Sequence, residues 1–167
     1  MKKSNKNHLL LIDYVKNNQE KFYRTAYMYT KSKDDALDIV QEALLKALKS
    51  SHTILESKYI ATWFYRILIN TSITYINNRK VTCPLEFISE TLKSKETNEN
   101  ENIDLYTALE KLDDLEKSII MLRYFEDLKF KDIALVTGLN INTLKTRTYL
   151  ILDKLKLQLE CEVNNFE

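Results

Sequence analysis

The chain is 167 residues long and carries 25 Lys/Arg against 24 Asp/Glu, with one glycine, one proline and two cysteines. That length suits one ordinary domain or two small helical ones. So few turn formers exclude a multi-stranded sheet with tight turns, and an all-α fold is expected. Cys83 and Cys161, with only His8 and His52 beside them, are too scattered for a disulfide framework or a metal-ligand set, so no cofactor is expected. The apolar run at residues 9–12 is cut by Asp13, too short for a signal peptide or a membrane span. A cytoplasmic protein without direct membrane insertion is expected.

The near-zero net charge hides an asymmetry. Residues 1–80 hold 14 Lys/Arg against 7 Asp/Glu, residues 81–126 hold 5 against 11, and residues 127–158 hold 6 against 3. Basic ends around an acidic middle fit two polyanion-facing modules and a connector, or ordinary solvated faces.

In chain order, residues 1–8 read as a polar tail. From residue 9 to 29, Leu11, Val15, Phe22, Ala26 and Tyr29 recur at helical spacing. A second helix is expected from Lys33, with Ser32 as N-cap, Asp34 and Asp35 in its first turn, and a buried stripe of Ala36, Ile39, Val40, Ala43, Leu44 and Ala47. Residues 50–57 read as a polar loop, and a third helix runs from Lys58 to Asn77. It ends before Pro84, because the residue before proline is pushed out of the α region. The first helical domain is thus placed at residues 9–82. Residues 83–104, rich in Glu, Lys, Ser, Thr and Asn, cannot offset their ordering entropy and read as a flexible linker. A second helical domain spans residues 105–159, with residues 160–167 as a tail. Within it Gly138 separates two helix-like runs, Ile133, Ala134 and Val136 before it and Leu144, Ile151, Leu152 and Leu155 after it. Two helices joined by a short glycine-containing turn make a helix-turn-helix, although any helical hairpin needs a similar cap.

Three constellations stand out. Asp34, Asp38, Gln41 and Glu42 share one helix face, which reads either as a solvated surface or as a docking surface for a basic partner helix. Residues 58–80 hold Tyr59, Trp63, Phe64, Tyr65 and Tyr75 with Lys58, Arg66, Arg79 and Lys80, and no acid. Aromatic rings stack on unpaired bases and basic groups hold phosphates, so this helix reads as a platform for single-stranded nucleic acid, although Trp63, Phe64 and Ile67 individually weigh toward the core. Third, Asn142, Thr143, Lys145, Thr146, Arg147 and Thr148 stand at the start of the second helix of the helix-turn-helix, where such residues reach base edges and phosphates. No nucleophile–base pair, phosphate loop or paired-carboxylate site is present, so the chain is not read as an enzyme.

The order of these blocks resembles the small two-domain RNA polymerase sigma factors of the extracytoplasmic-function type. DALDIVQEAL is similar to the family's helix that binds the polymerase clamp helices, which implies polymerase contacts for Asp34, Asp38, Gln41 and Glu42. WFYRILINTSITYI resembles the segment that opens and reads the minus-ten promoter element. The resemblance implies minus-ten contacts for Trp63, Arg66 and Asn70, with Ser57, Lys58 and Tyr59 at the preceding base-holding loop and Arg79 and Lys80 at the far end. Residues 108–147 resemble the family's minus-thirty-five domain, with Asn142, Thr143, Lys145, Thr146, Arg147 and Thr148 at the duplex. Leu150 and Asp153 stand where basic residues are common in the family. The implied partners are the clamp helices and flap of core RNA polymerase, promoter DNA, and an anti-sigma factor, soluble or membrane-anchored. The residues alone also fit a stand-alone, dimeric helix-turn-helix regulator, or an adaptor that does not bind DNA.

Overall fold

The computed structural model describes residues 2–82 and 103–163, which fall in two compact units, residues 1–81 and 82–167. All regular structure among the described residues is helical. Residues 83–102 of the linker expected at 83–104, residues 164–167 and the side chain of Lys80 lie outside the described residues.

The first unit contains α1 (Lys2–Asn17), α2 (Gln19–Thr30), α3 (Lys33–Ser50) and α4 (Ile60–Thr82), with short 3-10 turns at Ser51–Thr53 and Ser57–Tyr59. Helix α1 begins within the stretch that composition marks as a polar tail. Its polar residues are used inside: Asn7 is buried and its amide donates to the Ile54 carbonyl at 2.8 Å, and His8 Nδ1 lies 3.1 Å from Ser51 Oγ. The apolar run from residue 9 to 29 is two helices. Asn18 leaves helical geometry at φ −126°, and its side-chain amide donates to Tyr14 O at 2.8 Å, closing α1. Lys31 then stops α2 in a left-handed conformation, with its N–H on Tyr27 O.

An aromatic cluster forms the centre of this unit. Phe22 and Phe64 are fully buried with ring centroids 4.5 Å apart, Tyr65 meets Phe22 edge-on at 5.4 Å, and Tyr14 lies 5.7 Å away. Burying each of these rings stabilises by about 1.5–3 kcal/mol, and each ring pair adds about 1 kcal/mol. Leu11, Ala26, Ile39, Ala43, Ala47 and Leu68 are fully buried in the same unit.

The second unit contains α5 (Ile103–Glu110), α6 (Asp114–Ile120), α7 (Phe130–Thr137) and α8 (Ile141–Val163). Asp113 and Glu116 cap α6 reciprocally, side chain to backbone in both directions, which satisfies two otherwise orphan donors. Glu116 also receives Lys154 Nζ at 2.8 Å, tying α6 to α8. A π-type turn at Met121–Phe125 follows, and Asp127 at φ 52° turns the chain toward α7. Arg123 secures that corner by donating to Leu128 O at 3.0 Å while its guanidinium sits 5.0 Å from the Phe130 ring. The core is Leu109, Ile119, Leu122, Ile133, Leu144 and Ile151. Helix α8 continues to Val163, past the boundary at 159 that sequence suggests.

Gly138 ends α7 at φ 74° and donates its N–H to Ala134 O at 2.9 Å. A Cβ there would meet nothing within 4 Å, so glycine is required by the backbone angle rather than by space. Gly138→Ala should therefore lower the stability of this unit by about 1 kcal/mol in urea unfolding, and an unchanged midpoint would contradict this. Phe64→Ala should lower that of the first unit by about 3–5 kcal/mol in the same measurement.

Candidate polymerase and nucleic-acid interfaces

Helix α3 starts where Ser32 Oγ accepts the N–H of Asp35 at 3.3 Å, and its Ala36, Ile39, Ala43 and Ala47 stripe is buried. That orientation leaves Asp34, Asp38, Gln41 and Glu42 exposed together on the outer side. Leu37 and Leu45, which charge alone did not single out, lie on the same side at 50% and 58% exposure. They stand four residues either side of Gln41, so one ridge is apolar–polar–apolar between carboxylates. Their signal was in the sequence, since both fall outside the buried stripe. An acidic surface with two exposed leucines suits a basic, amphipathic partner.

Helix α4 divides its residues between two faces. Phe64, Tyr65, Leu68, Thr71 and Ser72 are buried, and the Ser72 hydroxyl is satisfied by Leu68 O at 2.9 Å. Tyr59, Trp63, Arg66 and Asn70 follow one another at steps of four, three and four residues, which aligns them on the other face. Arg66 and Asn70 are exposed, and Tyr59 and Trp63 are half-buried. The turn leading into this face carries exposed Ser57 and Lys58, together with Leu55 at 81% exposure. Lys58 Nζ is 2.8 Å from Glu56 Oε2 and 4.8 Å from the Tyr59 ring centroid. The hydrogen bonds to Glu56 and then Tyr59 hold its pKa above the ordinary lysine value, so it is a fixed cation at neutral pH.

Arg79 does not join this face. It lies nine residues beyond Asn70, about two and a half turns, and so points to the other side of the helix. There it forms an ion pair with Asp35 of α3. Tyr75, one turn earlier, donates its hydroxyl to the other Asp35 oxygen at 2.8 Å. Farther along, Lys46 of α3 donates to Thr71 at 3.3 Å and pairs with Glu42 at 2.7 Å. Thr71, Tyr75 and Arg79 thus form a polar seam against α3. Arg79, expected from the resemblance at the nucleic-acid face, lies here on the seam side of α4, paired with Asp35 and half exposed.

In the second unit, Asn140 caps α8 by accepting the N–H of Asn142 at 2.9 Å. Asn142, Thr143, Lys145, Thr146 and Arg147 are exposed on its opening turns. Thr148 is not. It is 2% exposed and its hydroxyl donates back to Leu144 O at 2.8 Å, so its inclusion among duplex contacts is corrected. The signal was available, because 144, 148, 151 and 155 make a single helical stripe and the other three are buried. Among the described residues no group of three or more His, Cys, Asp or Glu side chains could hold a metal, and no helix is long and apolar enough to cross a membrane.

Comparison with known proteins matches two stretches of the chain to two family profiles. Sigma-70 region 2 matches residues 14–82, and Sigma-70 region 4 matches residues 103–155. The RNA polymerase sigma factor SigV of Bacillus subtilis is 42% identical over 167 residues, covering 97% of this chain and 98% of that protein. The chain belongs to the extracytoplasmic-function RNA polymerase sigma factors. The sigma factor SigW of Bacillus subtilis is similar at 25% identity over 88% of this chain and 87% of its own length. The Bartonella quintana sigma factor RpoE, solved in complex with the anti-sigma factor NepR, shares the fold with a TM-score of 0.68 at 20% identity, over 89% of this chain and 97% of that one. CnrH, solved with the cytosolic domain of CnrY, does so at 0.67 and 18%, over 90% and 88%.

In this sigma factor the hydrogen bond to Asp35, with burial second, raises the Tyr75 pKa above its ordinary value of 10.0. The protonated phenol makes that bond, so its stabilisation is complete below pH 10 and is lost as pH rises through the raised value. Tyr75→Phe should lower the stability of the first unit by about 1 kcal/mol at pH 7, with the difference from the parent chain shrinking above pH 10. A gap that stays constant with pH would contradict that assignment.

Proposed function

We propose that this chain directs core RNA polymerase to a specific set of promoters in the cytoplasm, docking through α3 and reading opened and duplex DNA through α4 and α8. The observation that carries this reading is the division of α4. It is buried against the first unit along one side, and it offers Trp63, Arg66 and Asn70 along the other. The α3 face of Asp34, Leu37, Asp38, Gln41, Glu42 and Leu45 takes a basic, amphipathic surface of the polymerase clamp. Ser57, Lys58 and Tyr59, with Trp63, Arg66 and Asn70, stack and hold the unpaired strand of the minus-ten element. Asn142, Thr143, Lys145, Thr146 and Arg147 contact the minus-thirty-five duplex from α8 in the manner of a recognition helix, while the polymerase flap engages the same unit.

Residues 127–158 carry 6 Lys/Arg against 3 Asp/Glu, a weak polyelectrolyte attraction for free DNA. Polymerase therefore supplies most of the binding energy, which favours a subunit over a stand-alone dimeric regulator. Family membership also implies an anti-sigma partner that covers one or both DNA-facing surfaces, whether soluble or tethered to a membrane.

Changing Asp38 and Gln41 together to Lys should weaken binding to core polymerase at least tenfold, through like-charge repulsion at the docking face, while circular dichroism stays unchanged. Retained affinity would reject α3 as the docking helix. Arg147→Ala should lower promoter binding by the holoenzyme across sequences and flatten its salt dependence by about one phosphate contact. An unchanged salt slope would remove Arg147 from the phosphate contacts.

A further inference from the structure

The seam between α3 and α4 pairs groups whose side chains face neither the solvent side of α3 nor the outer side of α4. Asp35 is only 15% exposed, whereas its neighbours Asp34 and, three residues on, Asp38 are exposed. A carboxylate withdrawn from water is stable only when its oxygens are matched by donors. Here each oxygen has one, Tyr75 Oη on Oδ1 and Arg79 Nη1 on Oδ2. Both donors come from α4, one turn apart, so the carboxylate grips α4 at two heights. The helices are antiparallel along this line, since Asp35 near the start of α3 meets Tyr75 and Arg79, whereas Lys46 near its end meets Thr71. Arg79 keeps half its side chain exposed at 51%, but its direction around the helix is set by this pair.

We propose that Asp35 and Arg79, with Tyr75, are positioning residues that lock the promoter-reading helix α4 to the polymerase-docking helix α3. Arg79 serves promoter opening through Asp35 and does not touch DNA. The seam occupies one side of α4, and Trp63, Arg66 and Asn70 occupy the other. Rotating or sliding α4 on α3 would therefore move the stacking face relative to the polymerase while leaving each face intact. This inference rests on reading α3 as the docking helix and the Trp63 side of α4 as the minus-ten face.

The test uses the full chain with core polymerase at saturating concentration, and measures minus-ten opening by permanganate reactivity alongside affinity for core. Asp35→Asn and Arg79→Met should each slow opening by about threefold, the size expected of a partly exposed ion pair, with unchanged affinity for core. Together they should also slow it by about threefold rather than ninefold, because both remove the same link. A direct phosphate contact by Arg79 gives a different pattern. Freed from its carboxylate, Arg79 would then bind DNA better in Asp35→Asn, so faster opening in that variant overturns the proposal. Multiplicative losses overturn it too, as does lost core affinity or unchanged opening in the single variants. Should Asp35→Asn lose helical content, Tyr75→Phe is measured instead, with a smaller loss expected in both the parent and the Arg79→Met background, because it removes the separate bond to Asp35 Oδ1, and no loss in either overturns the proposal. Arg66→Ala and Asn70→Ala are the separate check on the minus-ten reading. If these two leave opening unchanged, that reading fails. If they slow it while the Asp35–Arg79 cycle is flat, only the clamp fails.

Discussion

Helix α4 must be dry along one side and wet along the other, and the first unit is arranged around that requirement. Its inner side supplies Phe64, Tyr65 and Leu68 to a cluster centred on Phe22, which fixes the helix by burial and ring packing. The seam of Thr71, Tyr75 and Arg79 fixes it against α3 by directed polar links. Apolar packing resists separation but is non-directional, so it tolerates small rotations. The polar links remove that freedom. What remains on the outer side is a row of half-buried aromatic groups with an exposed basic and an exposed amide side chain.

The exposed face of α3 proposed for docking follows from the same arrangement. Once its alanine-rich stripe is committed to the core, the carboxylates and two leucines have nowhere to go but outward. Small residues at Ala36, Ala43 and Ala47 sit with Ile39 on the buried side of α3, while Leu37, Asp38, Gln41, Glu42 and Leu45 are exposed. The second unit uses a different device. Its helix-turn-helix is set by Gly138 at a left-handed angle, by the Asn140 cap, and by the Glu116–Lys154 link that ties α8 back to α6. Its short polar side chains on α8 are presented by a rigid frame.

Much of this was legible from residue order because it depends on local rules. Gly138, the Ser32 cap, the apolar stripe of α3 and the aromatic-basic character of α4 are each properties of a single segment. What escaped depends on which segment meets which. Nothing near Asn7 announces that its amide will be buried against Ile54, so the start of α1 reads as tail. Asp35 looks like another member of the acidic stripe until Tyr75 and Arg79, forty and forty-four residues away, claim it. Thr148 is a different failure. Polarity suggested exposure, whereas the spacing 144, 148, 151 and 155 already placed it on the buried side, with its hydroxyl satisfied by its own helix.

On the proposed reading this chain recognises promoters as a subunit of RNA polymerase and not by itself. Run-off transcription with purified core polymerase on the DNA upstream of the protein's own gene tests that most directly, paired with duplex binding by the chain alone. A polymerase subunit should give a discrete transcript that requires both core and chain, with weak binding by the chain in isolation. Tight, sequence-specific duplex binding by the isolated chain, with no specific transcript from the reconstituted enzyme, would contradict it.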